Sequence, residues 1–254
     1  MKPSCLFSLL SDLKGIFGTF AFILLVWQSW IVLANVPSII APSPLDVFTG
    51  LINNWSTLLG AAWDTLKIAL LGLILGSVLG FLLACLAWSS TFISGLILPG
   101  VLVAQSVPVV AMVPVISRVI GYDVRSVIAI TVLISFFPAY VFSRSGLTRL
   151  PAGAKDLFSV LGASRRDQLF RLAIPAAIPG LLTALRLSAA NCVLATLVAE
   201  FLMGTQGLGF LIAFSAPRLD LQTGWGAALL ALIISLSLFA IASSLEQRLR
   251  SRWL

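Results

Sequence analysis

The chain has 254 residues, of which 59% are hydrophobic and only 10% are charged. Soluble globular domains carry about 25% charged residues, so this chain lacks the side chains that would cover a water-exposed surface. The composition therefore excludes an ordinary soluble domain and predicts an all-α polytopic membrane protein whose surroundings are largely lipid.

The formal net charge of +7 would suggest nucleic-acid binding in a soluble protein. Here the basic residues cluster in a few segments between apolar runs, so membrane topology explains them better and we expect no nucleic-acid partner. The chain contains three cysteines and no histidine. These counts predict no metal site and argue against Ser-His-Asp or Cys-His catalysis, so we expect no enzymatic activity in this chain.

Six stretches are long and apolar enough to cross a bilayer, which takes about 20 residues in a helix. The first stretch resembles a signal peptide in its flanks, but its apolar run exceeds the usual length of about 7 to 15 residues, so we favour a retained helix. We divide the chain into an N-terminal helix with an external segment (1–64), a core with five spans (65–245) and a cytoplasmic tail (246–254). The six stretches cover residues 16–34, 65–88, 96–119, 127–142, 178–203 and 225–245.

The distribution of Lys and Arg predicts the orientation in the membrane, because cytoplasmic segments are enriched in both residues. With the N-terminus inside, eleven Lys and Arg residues fall in inside segments and four fall outside. We therefore predict that both termini are cytoplasmic, that residues 143–177 form a cytoplasmic loop, and that residues 35–64 are external. Within the external segment, residues 45–55 predict an amphipathic helix on the membrane surface, anchored by Trp55.

Glycines in the second span and prolines in the third predict how these two spans pack and bend. Gly72, Gly76 and Gly80 repeat every four residues in the second span and allow the backbone of another helix to approach closely. That helix belongs either to the same chain or to a second subunit. Pro108 and Pro114 in the third span each remove a backbone hydrogen bond, so we expect a bent helix there.

Polar side chains inside the spans are candidates for a solute path or gate. Gln105 and Ser106 lie one turn before Pro108, where a bent helix either lines a water-filled cavity or is a structural kink only. Asn191 lies in the middle of the fifth span and needs a hydrogen-bond partner. Glu200, at the outer end of that span, either lines an outer gate or pairs with a neighbour, because charged groups within spans are rare and often functional.

The inside segment 143–177 combines basic residues with apolar ones. Pro151 suits the first turn of a short helix, and Gly162 suits its C-terminal cap. Ser164, with an acid three residues later, fits the start of a second short helix that Pro175 would end. The apolar residues on both helices indicate a face that is buried, either against the chain's own spans or against a cytoplasmic partner.

The spacing around Gly162 resembles the EAA loop of ATP-binding-cassette importer permeases, whose pattern is E-A-A-x3-G-x9-I-x-L-P. Six segments of the chain are similar, in the same order, to the nitrate, sulfonate, taurine and pyrimidine-precursor branch of that family: SVPVVAMVPV, SFFPAYVFSRSGL, LGAS, IPAAIPGLLTALR, VAEF and GLGFLI. In the loop, Asp156 stands for the Glu, Leu157 and Phe158 replace the two alanines, and Leu172, Ile174 and Pro175 close the pattern.

The resemblance implies a fold, a location and a set of partners. It implies a type I importer permease of about six transmembrane helices in the bacterial cytoplasmic (inner) membrane. The solute would be a small organic or inorganic anion or a pyrimidine precursor. Partners would be two ATP-binding-cassette ATPase subunits that hold ATP and Mg²⁺, an external solute-binding protein and a second permease copy. This chain contains no GxxxxGK[ST] loop, so ATP would bind to another polypeptide.

The resemblance also implies roles for particular residues. The loop would dock into a groove of the ATPase, and the segment at 204–220 would lie near the outer gate. A stand-alone secondary transporter or channel is the main alternative, and it would more naturally show internal repeats or paired buried charges. The coupling residues would be Asp156, Leu157, Phe158, Gly162, Ala163, Ser164, Leu169, Phe170 and Pro175, and the path or gate residues Gln105, Ser106, Pro108, Asn191, Glu200, Gly207, Leu208 and Gly209.

Overall fold

The computed structural model describes residues 18–250 except 20 and 39, and this part of the chain is built from α-helices without a β-strand. The all-α fold predicted from composition is confirmed. The helices are α1 (Ala21–Leu33), α2 (Pro44–Asn53), α3 (Trp55–Ser89), α4 (Thr91–Gln105), α5 (Val109–Ile120), α6 (Val124–Thr148), α7 (Ala154–Val160), α8 (Arg165–Gln168), α9 (Ile174–Met203), α10 (Leu208–Ser215) and α11 (Leu221–Arg250), with a π-helical turn at Leu169–Ala173 between α8 and α9.

Four helical stretches of the described chain are long and apolar enough to cross a membrane: α3, α6, the continuous run from α8 to α9, and α11. The pair α4 and α5 forms a fifth span if it is counted as one broken unit. The remaining apolar helix, α1, is shorter than a full span. The predicted first span begins at residues that lie outside the described part, so the sixth crossing stays a prediction.

The bend predicted for the third span is confirmed at Pro108, but it separates two helices, whereas one continuous bent helix was predicted. The structure has two helices there, α4 and α5, which are bent by 110° relative to each other. Pro108 sits at the start of α5 with extended backbone (φ −60°, ψ 136°). It offers no N–H to continue α4, and its ring disfavours helical geometry at Val107, so the chain breaks at this point. Pro114 lies within α5.

The glycine face of α3 packs against α6 of the same chain, which decides between the two packing alternatives. Gly72, Gly76 and Gly80 are buried, and a Cβ atom at each would collide with α6. At Gly76 the added atom would come 2.7 Å from the Cβ of Ser135, well inside the optimal carbon–carbon separation of about 3.5 to 4.0 Å. The glycines therefore bring two spans into backbone contact inside one subunit.

The predicted cytoplasmic tail begins inside α11, because this helix continues to Arg250. The Glu246 side chain is only 5% exposed and lies 3.1 Å from Nε of Arg186 on α9. Its Oε1 also accepts a hydrogen bond of 2.8 Å from the Thr183 hydroxyl. These contacts hold the C-terminal end of α11 against α9.

The amphipathic helix predicted at residues 45–55 is present as α2, but its predicted anchor Trp55 lies outside α2 and begins α3. Ser43 caps its start in a capping box with Asp46, in which each side chain bonds the backbone N–H of the other residue. Gly50 faces Gln222 at the start of α11, whereas Leu45 and Phe48 are exposed. An apolar exposed face of this kind suits a helix that lies on a membrane surface.

Candidate functional site

Four of the predicted path residues come together around one cavity of about 430 Å³. Gln105, Ser106 and Pro108 reach it from the break between α4 and α5, and Asn191 reaches it from the middle of α9. The volume lies within the range of about 300 to 1,000 Å³ that small-molecule sites occupy. The break between the two helices therefore places the polar C-terminal end of α4, Gln105 and Ser106, at the same cavity as Asn191.

The chemistry of this cavity is polar but uncharged. Of the described residues that line it, none carries a formal charge, and the polar groups are the amides of Gln105 and Asn191 and the hydroxyl of Ser106. Phe137 and Pro138 of α6 add flat apolar surface. Such a lining offers hydrogen bonds and ring contacts to a solute, and no ion pair.

Glu200, near the C-terminal end of α9, is fully buried and fastens α10 to two other helices. Its Oε2 accepts hydrogen bonds of 2.9 Å from the Thr65 hydroxyl on α3 and from the backbone N–H of Gly209 on α10. The Thr65 hydroxyl oxygen in turn accepts a bond of 2.9 Å from the N–H of Leu208. We call these four residues the outer latch, after the position predicted for Glu200 at the outer end of the fifth span. Of the two alternatives for Glu200, pairing with neighbours is the one found.

Two glycines make room for the Glu200 side chain of this latch. Gly207 has φ +123°, which side chains rarely adopt, and a Cβ there would come 2.5 Å from Oε2 of Glu200. A Cβ at Gly209 would come 2.6 Å from the Cβ of Glu200. Only glycine allows α10 to approach α9 this closely. Thr65 was missed by the sequence prediction, because it lies 135 residues from its partner Glu200 and a lone Thr has no motif.

The predicted cap at Gly162 is confirmed in its geometry. Gly162 has φ +69° and follows the last turn of α7. Its N–H donates to the carbonyl of Ser159 (3.1 Å), and the N–H of Ala163 donates to the carbonyl of Phe158 (2.9 Å). This pair of bonds is a Schellman motif, which ends a helix rigidly and turns the chain.

The start of α7 differs from the prediction. Pro151 does not open the helix: it accepts a turn hydrogen bond from Ala154, and Gly153 (φ +75°) is the N-cap. Asp156 lies exposed in the first turn, where a carboxylate favours the positive end of the helix dipole.

The second helix of the loop starts as predicted but does not stop at Pro175. The Ser164 hydroxyl accepts from the N–H of Asp167 (3.2 Å) and caps α8. The helix then passes through the π-helical turn into α9, with Pro175 in the first turn of α9. The wider turn relieves the clash that a proline ring otherwise makes with the carbonyl four residues earlier.

Within the loop, apolar side chains divide between the chain's own core and the surface. Leu169 is half-buried against the core cluster that includes Leu147 and Ala177, so part of its side chain packs on the chain's own helices. By contrast, Leu157 and Phe170 are 58% and 66% exposed. Val160 and Leu161 are exposed as well, at 85% and 72%. Because Leu157, Val160 and Leu161 share one side of α7, we call these three residues the α7 face.

Comparisons with known proteins identify the family of this chain. The family model described as "Binding-protein-dependent transport system inner membrane component" matches residues 76–253. A probable ABC transporter permease protein of Haemophilus influenzae is 31% identical over 217 residues, which cover 85% of this chain and 89% of the relative. The formylaminopyrimidine transport permease protein ThiX of Halalkalibacterium halodurans is 30% identical over 223 residues, or 87% of each chain.

The fold is shared with a solved transporter as well. The chain of an amino acid ABC transporter, crystallised with histidines, superposes with a TM-score of 0.66 at 17% identity, over 79% of this chain and 98% of the other. At this identity the likeness shows the fold alone. Family and fold together lead to one conclusion: the chain belongs to the binding-protein-dependent transport system inner membrane components and is the permease subunit of an ATP-binding-cassette importer.

Proposed function

We propose that two copies of this permease form the solute path and that two separate ATPase subunits, holding ATP and Mg²⁺, drive it through α7. The observation that carries this proposal is the α7 face. Leu157, Val160 and Leu161 are exposed on a short helix that a Schellman motif holds rigid. An exposed apolar helix face of this kind suits a groove on a partner protein.

The helix that follows the loop connects α7 with the membrane spans, so a movement of α7 could reach them. Arg165–Met203 forms one continuous helical run of 39 residues, about 58 Å long at a rise of 1.5 Å per residue. Asn191 of the cavity and Glu200 of the outer latch both lie on this run. A shift of α7 by the ATPase would therefore tilt a helix that reaches the cavity and the latch, as alternating access requires.

Charged variants of α7 test this coupling. Leu157→Glu combined with Val160→Glu would place two carboxylates in the apolar contact, and we expect solute-dependent ATPase activity of the assembled importer to fall about tenfold or more. Ser159→Glu is the control, since it adds one carboxylate on the other side of the same helix. Loss of ATPase association in the double variant alone supports the proposal. Equal effects of both, or of neither, contradict it.

The second permease copy is inferred from the exposed side of α9. Asn191 is exposed in the middle of this helix, beside Leu187 and Leu194, which are 39% and 60% exposed. An amide that faces lipid in the middle of a membrane is costly. A second copy against this side of α9 would cover the amide and close the cavity into a path between two subunits.

For the solute, we propose a neutral planar heterocycle of the pyrimidine-precursor type in preference to a small anion. The uncharged cavity supports this choice, because a desolvated anion needs a cation or several donors around it. The relative ThiX, which is named a formylaminopyrimidine transport permease protein, belongs to the same family. An external solute-binding protein would deliver the solute to the outer latch.

Changing Asn191 discriminates between the two solute classes. Asn191→Asp puts a carboxylate into the cavity, which would slow an anionic solute by about tenfold or more through charge repulsion. For a neutral heterocycle we expect uptake within about threefold of the parent, since the side chain can still accept a hydrogen bond. Uptake of labelled aminopyrimidine and labelled alkanesulfonate by the complete importer, with Asn191→Leu as the uncharged control, provides the measurement. Selective loss of alkanesulfonate uptake by an otherwise active importer would overturn the solute proposal.

The protein is a multi-pass component of the inner membrane, and we propose that both termini and α7 lie on the cytoplasmic side. The support is the excess of Lys and Arg in the segments assigned to the inside. A reporter that is active only in the cytoplasm, fused after the last helix, should be active. Inactivity there, with activity of an externally folding reporter, would reverse the orientation.

A further inference from the structure

A second cavity, of about 370 Å³, lies where the loop meets the helix bundle. Its floor is made of buried Ala87 and Leu147, and the half-buried ring of Trp88 forms part of one wall. Three basic side chains from three different helices also line the cavity: Arg144 on α6, Lys155 on α7 and Arg165 on α8. We call this cavity the basic pocket.

The charges of the basic pocket are not neutralised within the described chain. No Asp or Glu is among the residues that line it. Neither Arg144, Lys155 nor Arg165 forms an ion pair with a described carboxylate. Three like charges around one cavity repel each other, and an anion between them would relieve that repulsion.

The pocket also has the donors that an anion needs. Arg144 is anchored by a hydrogen bond of 2.5 Å from its Nη2 to the Ser94 hydroxyl, which holds the guanidinium at the cavity. Arg165 reaches back towards the carbonyl of Ser89, 3.5 Å away. Thr91 and Gln168 add a hydroxyl and an amide to the lining. Guanidinium and ammonium groups with such neighbours match the geometry of phosphate oxygens.

We propose that the basic pocket binds a phosphate group, either the headgroup of an anionic phospholipid or a free phosphate ion. Exposed apolar side chains lie on the two helix ends that line the pocket: Leu86 is 55% exposed at the end of α3, and Phe92, next to the lining residue Thr91, is 79% exposed at the start of α4. The acyl chains of a lipid whose phosphate enters the pocket would lie along the apolar surfaces of these two helices. Basic pockets beside membrane helices on the cytoplasmic side are suited to anionic headgroups.

An occupied pocket would also tie the loop to the bundle. The phosphate bridges Arg144 on a membrane span with Lys155 and Arg165, which flank the Schellman turn at Gly162. The site goes beyond the proposed coupling to an ATPase, and it holds whether or not the α7 face docks as proposed.

The test compares two charge-matched pairs of substitutions in the complete importer. Lys155→Gln with Arg165→Gln removes two cations from the pocket, and Arg149→Gln with Arg166→Gln removes two cations from the same loop that do not line it. Each importer is purified from membranes of phosphatidylcholine mixed with phosphatidylglycerol, and retained phosphatidylglycerol is measured by native mass spectrometry. We expect retention to fall roughly tenfold or more in the pocket pair and to stay near the parent value in the control pair.

Inorganic phosphate distinguishes the two sources. If millimolar inorganic phosphate displaces the lipid from the parent importer, or binds in its place to the delipidated importer, the free ion is a ligand of the site. If phosphate has no effect, the headgroup is the ligand. Equal lipid loss in the two pairs, or no loss in either together with no phosphate binding, overturns the proposal. A monodisperse elution profile and an unchanged thermal midpoint for both pairs show that the variants are folded.

Discussion

Replacing Gly76 with leucine should prevent this permease from folding, because the side chain has no space between α3 and α6. Even the first added carbon would come 2.7 Å from the Cβ of Ser135 and meet the carbonyl oxygen of Val132. The two helices would have to separate along the seam that Gly72 and Gly80 also form. Overpacking of this kind costs about 3 kcal/mol or more.

The measurement for this prediction is the yield of monodisperse protein in detergent and its thermal midpoint. Gly60→Leu is the matched control on the same helix, since a Cβ at Gly60 has no atom within 4 Å apart from its chain neighbours and the nearby backbone of α3. We expect little or no folded Gly76→Leu protein and near-parent behaviour of Gly60→Leu. Similar yields and midpoints for both would mean that α3 and α6 do not pack through the glycine face.

Replacing Glu200 with leucine should give the second-largest effect, through loss of the outer latch. The substitution leaves the Thr65 hydroxyl and the N–H of Gly209 buried without an acceptor. Each unsatisfied group costs about 1 to 3 kcal/mol, so we expect a loss of about 3 kcal/mol. For a chain of this size that corresponds to a thermal midpoint lower by about 6 to 12 °C.

Glu200→Gln and Thr65→Val sharpen the test. Glu200→Gln keeps the size and one carbonyl acceptor, so its midpoint should fall by less than half as much as that of Glu200→Leu. Thr65→Val alone should destabilise, and the combination with Glu200→Leu should cost less than the sum of the two, as for residues in one network. Full additivity would show that the two side chains do not act together.

Helix positions could be predicted well wherever a continuous apolar run dominates the local sequence. The predicted fifth span ends at Met203, as α9 does, and the predicted fourth span lies within α6. The cap at Gly162 was predictable because its cause is local: the end of a helix needs a left-handed residue, and glycine adopts that conformation at the lowest cost.

The features that could not be predicted depend on long-range contacts or backbone geometry, which a local sequence pattern does not contain. Pro108 predicts an interruption, but the local sequence does not contain the 110° angle between α4 and α5. The hydrogen bond of Glu200 with Thr65 joins residues 135 positions apart. The prediction that Pro175 ends a helix was wrong because a π-helical turn, which has no reliable sequence pattern, precedes it.

For the candidate sites, the residue types were predictable and their grouping was not. Gln105, Ser106, Pro108 and Asn191 were each chosen as polar or helix-breaking positions in spans, and the structure places all four at one cavity. In the loop, Leu157 and Leu169 are equally apolar in the sequence. Only the fold shows that Leu157 is exposed on α7 and that Leu169 packs inward.

The central claim is that an ATPase subunit binds the α7 face. Site-specific photocrosslinking in cells that are importing solute tests this claim most directly. A photoreactive amino acid at Val160, which is 85% exposed on α7, should capture a protein whose peptides contain a GxxxxGK[ST] loop. The same group at Tyr122, which is 63% exposed between α5 and α6, should not capture it. If the Val160 probe captures no such protein while uptake proceeds in the same cells, the account is contradicted.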